Sequence, residues 1–322
     1  MATGLGRGVL VLGGGPGAER EVSLQSAAGV ADALRRHGGY PVHEETISVL
    51  TARELRELPG GVIFPVLHGP WGEGGPLQDL LEQDGRPFVG CRAEAARICM
   101  DKVATLHEAA RIGVPTLRTC IFSAQDDRSP IPLPFVVKPV HEGSSVGLYI
   151  CKTPADWEHA REAARRDLAS GSGRSYMIEP FVTGRELTVA VIDGRAMPII
   201  DIIPASGVYD YQAKYVRDDT RYVCDPVLPA GMKERICSHA ESVTRAIGVR
   251  HLARADFMLD TTGELGHDAY LLEVNTMPGF TSHSLVPKSA RHAGVEMPEL
   301  CARLCEMAAR DHAGSRRERH EV

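Results

Sequence analysis

Hydrophobic and polar positions along the chain fall into three stretches of different rhythm. In the first, "GVLVLGGGPGAEREVSLQSAAGVADALRRHG" reads as a short apolar strand, a glycine turn and a helix from about Ser23. That helix places Val30, Ala33 and Leu34 on one side and ends near Gly38-Gly39. "YPVHEETISV" and "GVIFPVLHG" read as the next two strands, and "GPLQDLLEQDG" as a short helix closing at Gly85. Apolar strands alternating with helices predict a small parallel α/β unit over residues 1–93.

The rhythm changes after that. "AEAARICMDKVATLHEAARIG" predicts one long helix and "VPTLRTCIF" a strand. "LPFVVKPVHEGSSVGLYICKT" reads as two strands around a Gly-Ser loop, followed by a helix, a linker and the strand "SYMIEPFV". This pattern predicts an α+β unit over residues 94–182. In the third unit, residues 183–322, "GRELTVAVIDGRAMPIIDIIP" forms a hairpin turning at Asp193-Gly194. A polar, tyrosine-rich stretch over about 205–225 is long for a loop and predicts a lid. A helix, the strands "ARADFMLD" and "AYLLEVNTM", and a last helix complete the chain.

Composition narrows the class. With 322 residues, 43% hydrophobic and 24% charged, the chain has the make-up of an ordinary globular protein. A net charge of −6 without a basic stripe argues against a nucleic-acid partner. No run approaches the roughly 20 apolar residues of a membrane span. The N-terminal apolar run reads as a first strand rather than a leader. Eight scattered cysteines without a C-x-x-C fit reduced thiols, so a cytoplasmic setting is expected. The chain spends lysine and asparagine sparingly: six Lys against thirty Arg, and one Asn, at position 275.

Two familiar motifs fail on context. Gly13-x-Gly15-x-x-Ala18 resembles a dinucleotide fingerprint, but Pro16 interrupts it and no acid follows where a ribose would need one. Gly143-Ser144-Ser145-Val146-Gly147 matches a nucleophile elbow, which needs strand before and helix after. Both flanks here read as strands, so a hairpin loop suited to covering phosphates is expected. No H-E-x-x-H pair points to catalytic zinc.

The chemistry concentrates late. Glu273 and Asn275 stand two apart on a strand and so share a face. Arg254 and Asp256 alternate likewise on the preceding strand. If the two strands pair, Asp256, Glu273 and Asn275 can hold a divalent cation over a triphosphate. The bland alternative is an edge strand with a polar face.

"GAEREVSLQSA", "EGSSVG", "YDYQAKY", "ARADF" and "EVNTMPGFTSHSLVP" together resemble the D-alanine–D-alanine ligases of the ATP-grasp superfamily, from about Val9 to Met307. The resemblance implies a three-domain α/β and α+β ATP-grasp fold with an N-terminal parallel α/β domain. It implies ATP-dependent joining of two D-alanines through an acyl phosphate, with two Mg²⁺, or Mn²⁺ in their place. By the same resemblance, Lys102, Lys138, Ser145 and Lys214 contact ATP phosphates, Glu179 faces adenine and Glu186 the ribose. Asp256, Glu273 and Asn275 bind metal. Glu19, linked to Ser144 and Tyr215, takes the first D-alanine near His68. Arg254 and the Gly279 N–H meet the oxyanion, and Ser284 and Leu285 hold the second substrate. The family implies a homodimer. Alone, Glu19 or Lys102 reads as a solvated helix charge; their joint occurrence in order carries the resemblance. Two departures, Gly74 for a usual Asp and Pro16 for a usual Ser, leave room for a specialised copy such as one for antibiotic self-resistance. Two alternatives stay open: a ligase taking another second substrate such as D-lactate, and a non-catalytic ATP-grasp binding protein.

Overall fold

β1 (Val9–Gly14) is buried at every position, as a strand covered on both faces must be. It is the centre of a three-stranded parallel sheet, between β2 (Val42–Ile47) and β3 (Val62–Pro65). The structure is a computed structural model. It describes residues 4–318 except 206, 208, 210–213, 215, 216, 218 and 267. Between β1 and β2 runs α1 (Arg20–His37). It starts at Arg20 rather than Ser23, because Ser23 is not a cap. Its buried hydroxyl instead accepts from Gly14 N–H and donates to the Val66 carbonyl, tying helix to sheet. α2 (Ala52–Glu57) opens on a reciprocal Thr51–Glu54 capping box, a T-x-x-E signal that periodicity alone passes over. α3 (Gly69–Glu73) and α4 (Pro76–Asp84) follow β3, and α4 closes on Gly85 in the left-handed region, φ 77°.

The single helix expected after residue 93 is two, α5 (Ala93–Met100) and α6 (Lys102–Arg111). Asp101 is extended between them, and its carboxylate accepts from Ala104 N–H to cap α6. That break puts Lys102 at the first position of α6. From sequence these helices belong with the central unit. Their apolar sides, through Ala96, Cys99, Leu106 and Ala109, instead join the core of the larger C-terminal sheet.

β4 (Cys120–Ile121), β5 (Phe135–Pro139), β6 (Tyr149–Cys151) and β7 (Tyr176–Pro180) form an antiparallel sheet in the order β4-β7-β5-β6. The strand expected over "VPTLRTCIF" is reduced to two residues. α7 (Pro154–Ala169) lies against this sheet through Trp157, whose ring meets Phe122 and Phe135 edge-on. The third sheet has β8 (Gly184–Ile192), β9 (Arg195–Ala196), β10 (Ile200–Ile203), β11 (Arg221–Cys224), β12 (Leu252–Asp260) and β13 (Ala269–Asn275). Its order is β11-β10-β8-β12-β13, with β9 paired to β8. The β8–β9 hairpin turns where expected, with Asp193 and Gly194 both at positive φ. α8 (Met232–Ile247) packs beneath it.

α9 (Leu285–His292), unforeseen from periodicity, leads to α10 (Met297–Glu318). α10 does not stay with the third sheet. Its Leu300, Cys301, Leu304 and Cys305 share a core with Val9, Val11, Val30 and Leu34 of the first. Cys301 and Cys305 are buried in that packed face.

Candidate active site

The pairing left conditional by the sequence exists. β12 and β13 are antiparallel neighbours with Arg254 opposite Asn275 and Asp256 opposite Glu273, and a bulge follows Asp256. Asp256 is buried and receives Arg254 Nε at 3.0 Å, Arg254 Nη2 at 2.8 Å and Thr188 Oγ1 at 2.6 Å. Lys102 Nζ lies 3.1 Å from Glu273 Oε2. Burial pushes the Glu273 carboxyl up, but Lys102, Lys214, Arg254 and Lys138 outweigh it and bring it down to about 2. The Asn275 amide oxygen accepts Met277 N–H at 3.0 Å and keeps a second lone pair. Among the described residues no three His, Cys, Asp or Glu gather as a metal cluster. The donors are two carboxylates and one amide oxygen, the hard, incomplete set that suits Mg²⁺ completed by phosphates and water.

Facing this wall is the four-stranded sheet, and between them lies a cleft of about 400 Å³. Val136, Ile150, Phe181 and Val182 line it from one side, Met258 and Leu272 from the other, leaving a flat apolar slot. Lys138 and Glu179 form a buried ion pair there. The other Glu179 oxygen, Oε2, is buried and has no hydrogen-bond partner among the described residues. A buried acceptor without a donor costs free energy unless a ligand supplies one. Burial raises the Glu186 carboxyl to about 7; Lys214 works against that rise, and Asp256 and Glu273 add to it. Lys214 also sits 5.0 Å from the centre of the Tyr209 ring. Four of the six lysines, at 102, 138, 152 and 214, line this one cleft.

The loop between β5 and β6 closes over the cleft. It leads into a strand, not a helix, so the hairpin expectation holds over the nucleophile elbow. Ser144 and Ser145 are left-handed, with φ of 55° and 57°. Successive residues of that kind turn backbone N–H groups to one side. Ser145 Oγ donates to the Tyr209 carbonyl at 3.0 Å. Ser144 Oγ donates to Glu19, which sits at the start of α1 without capping it. A Cβ on Gly143 would stand 3.3 Å from Glu19 Oε2, so glycine permits the approach. Tyr215, expected to join this contact, lies outside the described residues.

A third group lies beyond Arg254. His68 is buried; its Nδ1 is 3.0 Å from the Met277 carbonyl and its Nε2 is unpartnered among the described residues. Burial lowers its pKa, holding the ring neutral. Glu73, which sequence reasoning missed, is buried beside it and accepts Gly69 N–H at 3.1 Å and Met277 N–H at 3.3 Å. Burial, then Glu19, pushes its carboxyl to about 8. Only its setting in glycines, "GPWGEGG", could have marked it. The glycine at 74 is enforced, since a Cβ there would meet the Pro70 carbonyl oxygen at 2.4 Å and Met100 at 3.0 Å.

After Pro278 the chain turns tightly. A Cβ on Gly279 would fall 2.8 Å from Ser284 Oγ. Thr281 N–H donates to that hydroxyl, and Phe280 N–H to Ser26 of α1. Ser284 precedes α9 and Leu285 opens it, so unpaired backbone N–H groups of the first turn gather here.

A family profile described as "D-ala D-ala ligase C-terminus" matches residues 121–306. D-alanine--D-alanine ligase B of Chromobacterium violaceum is 40% identical over 306 residues, 92% of this chain and 96% of that one. A D-alanine--D-alanine ligase of Anaeromyxobacter is 40% identical over 316 residues, 96% and 99% of the two chains. The crystal structure of the D-alanine--D-alanine ligase from Bacillus anthracis complexed with ATP superposes with a TM-score of 0.78 at 28% identity, covering 95% of this chain and 98% of that one.

Proposed function

We propose, from the premise that the chain belongs to the D-alanine–D-alanine ligase family and has its ATP-grasp fold, that it joins two D-alanines in an ATP-driven reaction through an acyl phosphate. The observation that carries this reading is the opposition of charges across one cleft. Lysines from α6, β5 and the lid stretch face a carboxylate pair fixed on two registered strands.

A free carboxylate is a poor acyl donor, and phosphorylation gives it a leaving group. Adenine would fit the apolar slot, where Glu179 Oε2 offers a buried acceptor for its amine, and Glu186 would take the ribose. Lys102, Lys138 and Lys214 meet the phosphates, and the Ser144–Ser145 loop covers them. Asp256, Glu273 and Asn275 hold Mg²⁺, which when bound neutralises phosphate charge during transfer. Glu19, fixed by Ser144, takes the ammonium of the first D-alanine, with neutral His68 walling the pocket. The carboxylate oxygen of that first D-alanine bonds to the γ-phosphorus as the bond to the bridging oxygen of ADP breaks. The amine of the second D-alanine then attacks the acyl carbon and gives up a proton. Arg254 and the Gly279 N–H stabilise the oxyanion until phosphate leaves. Ser284 and the N–H of Leu285 hold the second carboxylate. The reading includes the family's homodimer and its service to peptidoglycan precursor synthesis in the cytoplasm.

Incubation with ATP, Mg²⁺ and D-alanine should release phosphate and yield the mass of D-alanyl-D-alanine. D-lactate added beside D-alanine should not displace that product. Absence of ATP turnover with D-alanine alone would sink the reading.

A further inference from the structure

One charged network holds the entry of the covering loop and reaches its exit, and beyond Lys102 the reaction itself does not use it. At its entry, Lys102 Nζ donates to the Glu142 carbonyl at 2.6 Å, and Arg174 Nε donates to the Glu142 carboxylate at 2.8 Å. Arg174 Nη1 continues to Asp167 Oδ1 at 3.1 Å, and Asp167 Oδ2 accepts the Tyr176 hydroxyl at 3.0 Å. At the loop's exit, a Cβ on Gly147 would stand 3.5 Å from that same hydroxyl. Ser172 Oγ, 3.1 Å from Asp167 Oδ2, fixes the turn from which Arg174 projects. The chain therefore runs from Lys102, through both hinges of the loop, to the last turn of α7 and the first residue of β7.

We propose that Arg174 and Asp167 are positioning residues that hold the Gly143–Gly147 loop in its covering geometry before nucleotide arrives. The proposal rests on the ATP reading of the cleft. Neither side chain lines the cleft. Their effect passes through Glu142, whose backbone leads directly into Gly143 and Ser144, and through Tyr176 beside Gly147. A loop of glycines and left-handed serines has little of its own to choose one shape. The Arg174–Glu142 ion pair at its entry and the Asp167-held Tyr176 hydroxyl beside its exit supply that choice. Lys102 also touches Glu273, so one lysine joins the loop's entry to the carboxylate wall beneath it.

The test uses the full chain with Arg174→Met, which keeps the apolar stem and removes both ion pairs. Arg174→Lys and Asp167→Asn serve as milder variants. Without nucleotide, amide hydrogen exchange over residues 143–147 should quicken in Arg174→Met by roughly three- to tenfold. KM for ATP should rise by a similar factor, while kcat and the KM for D-alanine stay near the parent values. Arg174→Lys should recover part of both effects, and Asp167→Asn should move them in the same direction by less. Arg174 is about a third exposed, so the fold should survive its loss. Unchanged loop exchange in Arg174→Met and in Asp167→Asn would overturn the proposal, as would a fall in kcat with no change in KM for ATP. The exchange arm needs no turnover. If the parent chain fails to consume ATP but Arg174→Met still loosens the loop, the functional reading fails and the clamp stands.

Discussion

The two faces of the cleft hold their chemistry in place by different means. On one face, Arg254, Asp256, Glu273 and Asn275 are set by the β12–β13 ladder. Shifting Asp256 against Glu273 would mean slipping the register, and a one-residue slip sends every side chain to the opposite face. On the other face, the Ser144–Ser145 loop has no ladder within it and depends on side chains at its ends. The carboxylate wall is fixed by backbone, the cover by contacts that can be made and broken. Charges that must meet to within tenths of an ångström sit on the rigid face, and the part that must open for a nucleotide sits on the adjustable one.

The strongest way to break this contrast is to attack the rigid face where it touches the reaction. Arg254→Ala leaves the ladder intact but removes the cation that holds Asp256 and that the proposed reaction sets against the acyl carbonyl. Phosphate release with D-alanine should fall by on the order of a hundred- to a thousandfold. The wall should stay folded, with a melting transition no less cooperative than the parent's. A loss below tenfold would remove Arg254 from the proposed chemistry.

Ser144→Ala attacks the adjustable face. It deletes the contact to Glu19 and leaves every residue of the wall in place. The KM for the first D-alanine should rise by roughly tenfold, about the 1.4 kcal/mol of one charge-assisted hydrogen bond. Steady-state kinetics with the two D-alanine sites resolved would measure it. An equal rise at both sites would show that Ser144 does not act through Glu19.

The last expected effect is on stability and concerns Glu73, which joins the turn after β13 to the first residue of α3. Its carboxyl is raised in the folded chain from 4.5 to about 8. The folded state therefore holds a proton that the unfolded chain has released in that window. Stability is fully present below about pH 4.5 and is lost as pH climbs towards 8. Glu73→Gln should flatten the decline of melting temperature between pH 5 and 8, a difference on the order of 2 kcal/mol by the upper end. Parallel curves for parent and variant would mean the carboxyl is not held neutral.

These contrasts also explain what was legible in the sequence. The wall was readable because strand periodicity is two, and Glu273, Asn275, Arg254 and Asp256 obey it. Only the pairing of the strands had to be supplied. The Gly-Ser loop was readable from its flanks, since strands on both sides exclude an elbow. Asp101 was missed as a break because its neighbours carry helical periodicity straight through it, although an Asp before "KVAT" is also a cap signal. Glu73 was invisible because nothing in a single acidic residue announces burial. Ser284 followed by Leu285 and an early Pro287 could have revealed α9. The destination of α10 could not be read, since an apolar stripe says that a face is covered and not by what.

That last helix has a consequence for how the chain is made. The first sheet emerges early, but its core stays open until Leu300, Cys301 and Leu304 arrive to pack against Val9 and Leu34. At ordinary translation rates, on the order of tens of seconds separate these partners' synthesis. For that interval the nascent N-terminal unit lacks the apolar face that later covers it. A chain halted before α10 would leave that unit uncovered for good.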